Sequence, residues 1–368
     1  MMLADHGVVG LRKDSLDTPS LCVELDVMEA NIARIAAACR EHGVAWRPHT
    51  KGQKVPAIAH KLLAAGAIGV TCQKLGEAEV MAAAGIRDIL VANQIVGDQK
   101  IIRLVNLLRH ADVVVAVDDH GNVAALDAAA RAKGVRLRVV IEVDIGGNRA
   151  GVWPGAAVAE LALRIAEHPG LRFTGVMGWE SHATAIQDQA EKERAVAAAV
   201  SLLTQSAQAC RSAGLPVDIV SCGGTGTYRF TTAQPGVTEI QAGGGIFSDV
   251  RYRTKFLIDH PYALTMMTTV TSRPNPRRII CDAGKKAMSS DAAEPLPLGV
   301  ENVQSVSLSA EHTRIELKEP NTRLRVGDRV EFVVGYGDTT IHLHDEIYGI
   351  RDGTVEVVWP VLGRGRMR

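Results

Sequence analysis

The strongest constraint on the fold is a repeating pattern of short β-branched runs, turns and alanine-rich helical stretches between about residues 20 and 250. Eight strands are predicted, at residues 45–48, 69–72, 88–92, 112–117, 137–144, 172–179, 218–222 and 238–242. Helices are predicted at residues 26–42, 55–65, 75–84, 98–110, 122–132, 156–168 and 190–213. Eight alternating units predict an α/β barrel of the (β/α)8 type with a closed parallel sheet.

The sequence pattern changes after about residue 255, where helical periodicity fades. Strand-like runs separated by turn dipeptides follow, at residues 263–270, 278–282, 303–308, 313–317, 329–334, 346–350 and 354–359. Such a series predicts a mainly antiparallel β-domain. We therefore predict a barrel domain over residues 19–255, and a C-terminal β-domain in which residues 1–18 join residues 256–368.

The composition argues against several classes of function. Lysine plus arginine and aspartate plus glutamate each number 41, so neither a nucleic-acid surface nor a polybasic membrane contact is indicated. The apolar runs are short and broken by charge, and residues 1–15 contain no apolar core of a secretion signal. The six cysteines are scattered without a CxxC pair, which is typical of a cytoplasmic protein.

Lys51 is the leading candidate for a catalytic residue. It ends the stretch Arg47-Pro48-His49-Thr50-Lys51, which follows the first predicted barrel strand. The active sites of such barrels lie at the carboxyl ends of the strands, where a lysine is well placed to bond the aldehyde of a carbonyl cofactor. The alternative, for any single lysine, is an ordinary surface position in a loop.

Two glycine clusters follow the seventh and eighth predicted strands, where such barrels commonly bind phosphate. They consist of Gly223, Gly224, Thr225, Gly226 and Thr227, and of Gly243, Gly244 and Gly245. Glycine lets backbone N–H groups approach a phosphate closely, although either cluster alone could be a tight turn. Because the first and eighth strands are neighbours in a closed barrel, Lys51 and the two clusters together predict pyridoxal 5′-phosphate as the cofactor.

Other polar residues fall near the predicted strand ends. Arg149, after the fifth strand, either faces the cofactor or a substrate carboxylate, or forms an ion pair at the barrel rim. Gln73, after the second strand, either donates to the cofactor ring or serves packing. His182, after the sixth strand, is either a further catalytic candidate or a loop histidine without a role.

A third polar cluster lies near the end of the predicted β-domain. On a strand, Asp338, Thr340, His342 and His344 would share one face. Two histidines and one aspartate on one face could bind a divalent cation or supply a general base, and Asp338 and His342 are the leading ligands. The alternative is a polar strand face exposed to solvent.

In combination, these motifs resemble the D-threonine aldolase and D-serine dehydratase group of pyridoxal-phosphate enzymes, which share the architecture of alanine racemase. Beyond the stretch that ends in Lys51, the resemblance runs through Thr18-Pro19-Ser20-Leu21, Cys72-Gln73-Lys74, Asp144-Ile145-Gly146-Gly147-Asn148-Arg149-Ala150-Gly151, Gly223-Gly224-Thr225-Gly226, Asp282-Ala283-Gly284 and Val358-Trp359-Pro360. It covers nearly the whole chain. It implies Lys51 as the lysine that bonds the cofactor, Arg149 near the cofactor, and Gly224–Gly226 on its phosphate. It also implies a homodimer whose active site is completed by the partner's β-domain.

The chain departs from this family at the expected metal site. In the aldolases a histidine and an aspartate two residues apart hold a divalent metal, and the matching positions here are Tyr336 and Asp338. A neutral phenol is a poor ligand for Mg²⁺ or Mn²⁺, so the histidine is missing unless His342 or His344 replaces it. Trp179 also stands where the aldolases often carry a tyrosine.

The resemblance implies a lyase that cleaves a D-3-hydroxy amino acid similar to D-threonine, by retro-aldol chemistry, to glycine and an aldehyde. Its candidate catalytic residues are Lys51, His182, Asp338 and His342, and a divalent metal (Mg²⁺, Mn²⁺ or Zn²⁺) is a second candidate cofactor. The alternatives are elimination of water from the same substrates, racemisation, and a non-catalytic carrier of the cofactor. The full second domain argues against the carrier.

Overall fold

The computed structural model describes residues 7–368 and divides the chain into two compact units. The barrel unit consists of residues 33–51, 56–243 and 365–368. The β-unit consists of the described residues up to Ile32 together with residues 52–55 and 244–364. The domain boundaries predicted after residues 18 and 255 stay a proposal.

The strands fall into two sheets. In chain order they are β1 (Ser20–Glu24), β2 (Ala45–Trp46), β3 (Val70–Cys72), β4 (Asp88–Gln94), β5 (Asp112–Val117), β6 (Leu137–Glu142), β7 (Leu171–Met177), β8 (Ile219–Cys222), β9 (Glu239–Ile240), β10 (Leu264–Asn275), β11 (Arg278–Cys281), β12 (Leu296–Pro297), β13 (Val303–Leu308), β14 (Thr313–Leu317), β15 (Arg329–Val333), β16 (Glu346–Arg351) and β17 (Thr354–Pro360). The barrel unit contains β2–β9, and the β-unit contains the others.

The helices are amphipathic or short. In chain order they are α1 (Leu25–Glu41), α2 (Pro56–Ala64), α3 (Leu75–Ala83), α4 (Asp98–Leu107), α5 (His120–Ala132), α6 (Ala156–Ala166), α7 (Gln189–Ser212), α8 (Tyr228–Thr231), α9 (Val250–Thr254) and α10 (Gly337–Thr340). Asp119 and Asp188 cap α5 and α7, because each carboxylate accepts a hydrogen bond from an N–H of the first turn. Within residues 7–368, no helix has both the length and the apolarity needed to cross a membrane.

The sheet of the barrel unit is parallel and has the order β2-β9-β8-β7-β6-β5-β4-β3. A bridge between His49 and Thr71 joins its two end strands, and Thr50 N donates to Thr71 O at 2.7 Å. Side chains from β4 to β8 pack into one buried hydrophobic cluster. The predicted barrel fold is therefore confirmed, and its strand ends position the candidate site.

The sheet of the β-unit has the order β13-β14-β11-β10-β1-β16-β17, and β15 pairs with β10 and β12. Its pairs are antiparallel except for β1 with β16. The predicted antiparallel β-domain is thus confirmed. Strand β1 was not predicted, because it runs into α1 at Leu25 without a turn residue that would separate two elements.

The segment that contains Asp338, Thr340, His342 and His344 is not a strand, so the strand face considered for these residues does not form. Helix α10 covers the first part of this segment, and a 3-10 helix, Ile341–Leu343, continues it. The physical reason is hydrogen bonding to the helical backbone, since the Gly337 N–H at the start of α10 donates to Asp249 Oδ2 at 2.8 Å and the Thr340 hydroxyl donates to the backbone oxygen four residues earlier at 2.8 Å. Such bonds favour helical turns over a sheet ladder. The four side chains therefore do not share a strand face.

Candidate active site

Lys51 lies at the carboxyl end of β2, where the barrel closes. Its backbone N–H donates to His49 Nδ1 at 3.3 Å, and its Nζ lies 5.3 Å from the centroid of the Trp179 ring. Within residues 7–368, the Lys51 ammonium forms no ion pair with a carboxylate. The amine is therefore not neutralised by a fixed anion, which leaves it available to a carbonyl carbon.

Trp179 connects several of the predicted site residues. The Arg149 Cζ atom lies 5.2 Å from the centroid of the Trp179 ring, so two cations contact one aromatic side chain. A Cβ atom added at Gly224 would lie 2.9 Å from Trp179 Nε1. The ring also helps to line a pocket with Glu142, Asp144, Arg149 and Ser181. The sequence marked Trp179 only as a departure from the family, so this central position was missed.

His49 and Gln73 form a hydrogen-bonded pair at the ends of β2 and β3. Because His49 Nδ1 accepts from the Lys51 N–H, its Nε2 carries the proton and donates to Gln73 Oε1 at 3.1 Å. Gln73 Nε2 in turn donates to Ala92 O at 3.1 Å. The Gln73 amide is thus anchored inside the barrel. Its predicted bond to the cofactor ring stays a prediction, and the role of His49 was not predicted.

The loop after β8 has the features of a phosphate site. Gly223 has a φ of +75°, and the N–H groups of Thr227 and Tyr228 both donate to Gly224 O, at 3.1 and 2.9 Å. Within residues 7–368, the N–H groups of Gly224 and Gly226 donate to no protein acceptor, although Gly226 is buried. Buried N–H groups without a partner are rare, and backbone N–H groups left open in a glycine-rich loop suit an anion. The residues present therefore fit the phosphate of pyridoxal 5′-phosphate.

Gly243 and Gly244 follow β9 and are required by close packing. A Cβ atom at Gly243 would lie 2.1 Å from His49 O, within the barrel unit. A Cβ atom at Gly244, within the β-unit, would lie 2.1 Å from Tyr252 Oη. Neither position accepts a larger residue without movement of its surroundings. Binding of the cofactor by Gly243, Gly244 and Thr225 stays a prediction.

Substitution of Gly224 by valine should weaken cofactor binding. The added side chain would meet Trp179 Nε1 and crowd the backbone that faces the phosphate. We expect the dissociation constant of pyridoxal 5′-phosphate, titrated into the protein freed of cofactor, to rise at least about tenfold, because hydrogen bonds to a charged group are lost. The exposed Ala157→Val is the matched control and should leave the constant unchanged. Equal constants for both variants would contradict the assignment of this loop.

Arg149 and His182 lie at the rim of the barrel unit. Arg149 Nη2 is 3.6 Å from Glu142 Oε1, and its side chain is 60% exposed. Burial raises the pKa of Glu142, which also accepts a 2.5 Å hydrogen bond from Gln94. His182 is exposed and packs on Gly146, where a Cβ atom would lie 2.7 Å from the His182 Cε1 atom. Arg149 thus forms the rim ion pair, while its contact with a cofactor stays a prediction.

Asp249 organises the polar cluster of the β-unit. It is 1% exposed, and its carboxylate accepts hydrogen bonds from the N–H groups of Tyr252 and Gly337, both at 2.8 Å. Burial is the main reason that the pKa of Asp249 rises to about 7, and the nearby charge of Asp338 adds to it. The carboxylate therefore fixes the start of both α9 and α10.

The donors around Asp338 do not fit a divalent metal. The Tyr336 hydroxyl donates to Asp338 Oδ2 at 3.1 Å, and the Arg251 guanidinium lies 4.6 Å from the Tyr336 ring centroid. Burial, and then the charge of Asp338, raise the pKa of Tyr336 well above its ordinary value, so the phenol stays neutral. Within residues 7–368, no three histidine, cysteine, aspartate or glutamate side chains are grouped to hold a metal ion. We derive no chemical step through a metal.

The two histidines of this segment differ in their surroundings. His344 Nε2 donates to Ala287 O at 2.8 Å, and burial lowers the pKa of His344. His342 lies in the 3-10 helix and is partly exposed. The backbone bond removes one ring nitrogen of His344 from any ligand role. Asp338 and His342 as metal ligands, and as catalytic groups, stay a prediction that chelation tests.

Known proteins match this chain over almost its whole length. Residues 23–250 match the family described as alanine racemase, N-terminal domain, and residues 263–350 match the putative serine dehydratase domain. The chain is 34% identical over 357 residues to a D-threonine aldolase from Arthrobacter sp, and the alignment covers 96% of this chain and 94% of that protein. It is 35% identical over 369 residues to 3-hydroxy-D-aspartate aldolase from Paracoccus denitrificans (strain Pd 1222), and the alignment covers 97% of this chain and 94% of that protein. The crystal structure of D-threonine aldolase from Filomicrobium marinum superposes with a TM-score of 0.94 at 34% identity and covers 97% of this chain and 98% of that one.

Proposed function

The chain belongs to the alanine racemase-type family of pyridoxal-phosphate enzymes, within the group that contains the D-threonine aldolases, and we propose that it cleaves D-3-hydroxy amino acids to glycine and an aldehyde. The observation that carries this proposal is that one barrel contains a Lys51 amine with no carboxylate partner and Gly224 and Gly226 N–H groups with no acceptor among residues 7–368. Pyridoxal 5′-phosphate has an aldehyde, which bonds a lysine amine, and a phosphate group, which binds to backbone N–H groups.

Each candidate residue has a defined task in this proposal. When bound, pyridoxal 5′-phosphate supplies an acceptor for the electrons released as the Cα–Cβ bond of the substrate breaks. Lys51 would hold the cofactor at its aldehyde carbon, and the Trp179 ring, 5.3 Å from the lysine Nζ without cofactor, would keep the amine at that position. Arg149 orients an anionic group at the rim. His182 is the candidate in the barrel unit for the base that takes the proton of the 3-hydroxyl.

We place the enzyme in the cytoplasm as a homodimer. All six cysteines lie within residues 7–368, where they are buried and none forms a disulfide, which supports a reducing compartment. The homodimer is supported by the need to exclude water from the reacting groups at the mouth of the barrel. Sedimentation that finds an active monomer at assay concentration would overturn the homodimer.

A product assay on D-threonine and 3-hydroxy-D-aspartate tests the function. We expect glycine and an aldehyde in equal amounts. A keto acid would show the elimination of water instead, which the match of residues 263–350 to the putative serine dehydratase domain would then explain. The L-amino acid that is inverted at Cα and unchanged at Cβ would show racemisation at Cα. Either of these products without glycine would overturn the proposal.

Chelation should have little effect on this enzyme. The Tyr336 hydroxyl stays neutral and donates a hydrogen bond to Asp338 Oδ2. Hard cations require anionic oxygen or imidazole ligands, so we expect EDTA to change the rate by less than about twofold. Tyr336→His should introduce dependence on added Mn²⁺, whereas Tyr336→Phe should not. If EDTA abolishes the activity of the unmodified enzyme, the interpretation of this site is wrong, and the metal content of His342→Ala then shows whether His342 is a ligand.

A further inference from the structure

Glu180 is a fully buried carboxylate that the proposed chemistry does not use. It follows Trp179 at the end of β7 and is 0% exposed. Its Oε1 accepts hydrogen bonds from the hydroxyls of Thr227 and Thr231, both at 2.6 Å, and its Oε2 accepts from Gly223 N at 3.3 Å. All of these donors belong to the loop after β8 or to α8. One carboxylate therefore ties together both ends of the loop that carries Gly224 and Gly226.

The contacts indicate an ionised Glu180 held by neutral donors. Oxygen–oxygen distances of 2.6 Å are typical of hydroxyls bonded to a carboxylate anion. Within residues 7–368, Glu180 forms no ion pair with a cation, so these donors alone offset the loss of solvation. A buried charge with this arrangement of donors is sensitive to the exact position of each of them.

We propose that Glu180 is a positioning residue that sets the shape of the loop for the cofactor phosphate. With the Thr227 hydroxyl bonded to Glu180, the loop closes through Thr227 N and Tyr228 N onto Gly224 O. The N–H groups of Gly224 and Gly226 then remain for the phosphate. This inference rests on the proposed cofactor site and goes further, because it assigns the control of phosphate affinity to a side chain behind the loop.

The direction in which Glu180→Gln changes phosphate affinity distinguishes a positioning role from a purely electrostatic effect. Glutamine at residue 180 keeps the shape of the side chain, but it removes the negative charge and cannot accept from both Thr227 and Gly223 N with separate oxygens. By Coulomb's law alone, the loss of a negative charge near a phosphate should strengthen phosphate binding. If Glu180 instead keeps the loop in the shape that binds phosphate, Glu180→Gln should weaken phosphate binding.

The test compares the binding of pyridoxal 5′-phosphate and pyridoxal to the full-length protein freed of cofactor. We expect Glu180→Gln to raise the dissociation constant of the phosphorylated form at least about tenfold and that of pyridoxal by less than about twofold, since only bonds to the phosphate are lost. A general structural role would weaken both ligands equally. A loss of phosphate preference, read as the ratio of the two constants, is therefore the specific result.

Thr231 provides a matched pair of variants outside the loop. Thr231→Val removes one donor to Glu180 at nearly constant volume, and Thr231→Ser keeps the hydroxyl. The valine variant should lose phosphate preference and the serine variant should keep it, even if Glu180→Gln does not fold. If the unmodified protein binds no pyridoxal 5′-phosphate, the proposed function fails. If it binds the cofactor and both Glu180→Gln and Thr231→Val keep the ratio unchanged, only the role of Glu180 is overturned.

Discussion

Replacement of Lys51 by alanine should lower the rate of glycine formation by at least about 10³-fold, the order found when a covalent catalytic group is removed. The reason is that Lys51 is the amine at the carboxyl end of β2, and the Trp179 ring holds its Nζ at 5.3 Å. Alanine keeps the backbone N–H that donates to His49 Nδ1, so the loop should keep its shape. The loss should therefore appear in kcat, while the fold and the phosphate loop persist.

Reduction with borohydride identifies the lysine directly. The mass of the cofactor should then appear on the peptide that contains Lys51, and peptide mass spectrometry measures it. Lys74→Ala is the matched control, because its backbone N–H, which donates to Glu77, is retained. A label on Lys54 or Lys74, or a Lys51→Ala variant with ordinary turnover, would contradict the assignment.

The fold was largely predictable because its signals are local. Strands β5, β13 and β14 have the predicted limits, and the other barrel strands differ from the prediction by a few residues at their ends. Buried parallel strands appear as short apolar runs between helices, and each run can be recognised without its neighbours. The errors occurred where tertiary contacts decide. The short strand β12 pairs with β15 over two residues, and α10 depends on Asp249, which lies far away in sequence.

Candidate site residues could be predicted where the residue type and its position after a predicted strand were informative by themselves. Lys51 and the glycines of the loop after β8 stood out by residue type and by place in the strand order. Trp179 and Glu180 did not, because their roles follow from contacts with Lys51 and with Thr231, made by residues far apart in sequence. A tryptophan and a glutamate after a strand carry no distinctive signal by themselves.

The stretch from Arg47 to Lys51 has two roles in the structure. Arg47 is buried, and its guanidinium donates to both oxygens of Glu239, at 3.0 and 3.1 Å, and to Asp88 at 2.7 Å. Asp88 and Glu239 are the first residues of β4 and β9, so this network lies at the amino ends of the strands. In such barrels that end serves stability, whereas the opposite end serves catalysis.

Arg47→Ala should therefore destabilise the barrel unit without removing a catalytic group. The substitution leaves the Glu239 carboxylate, which is 3% exposed, without its cation. Removal of one partner from a buried ion pair costs about 3–5 kcal/mol in the free energy of unfolding. Urea unfolding followed by circular dichroism should show a clear fall in the midpoint with little change in slope.

Two further variants show whether the buried charge causes this loss. Arg172→Ala breaks an exposed pair with Asp218 in the same unit and should cost less than about 1 kcal/mol. The double variant Arg47→Met with Glu239→Leu removes both charges and should regain most of the stability, because an apolar pair replaces an ion pair at little cost. If Arg47→Ala is no more destabilising than Arg172→Ala, the network does not support the barrel. If the double variant is as unstable as Arg47→Ala alone, lost packing rather than an unpaired Glu239 is the cause.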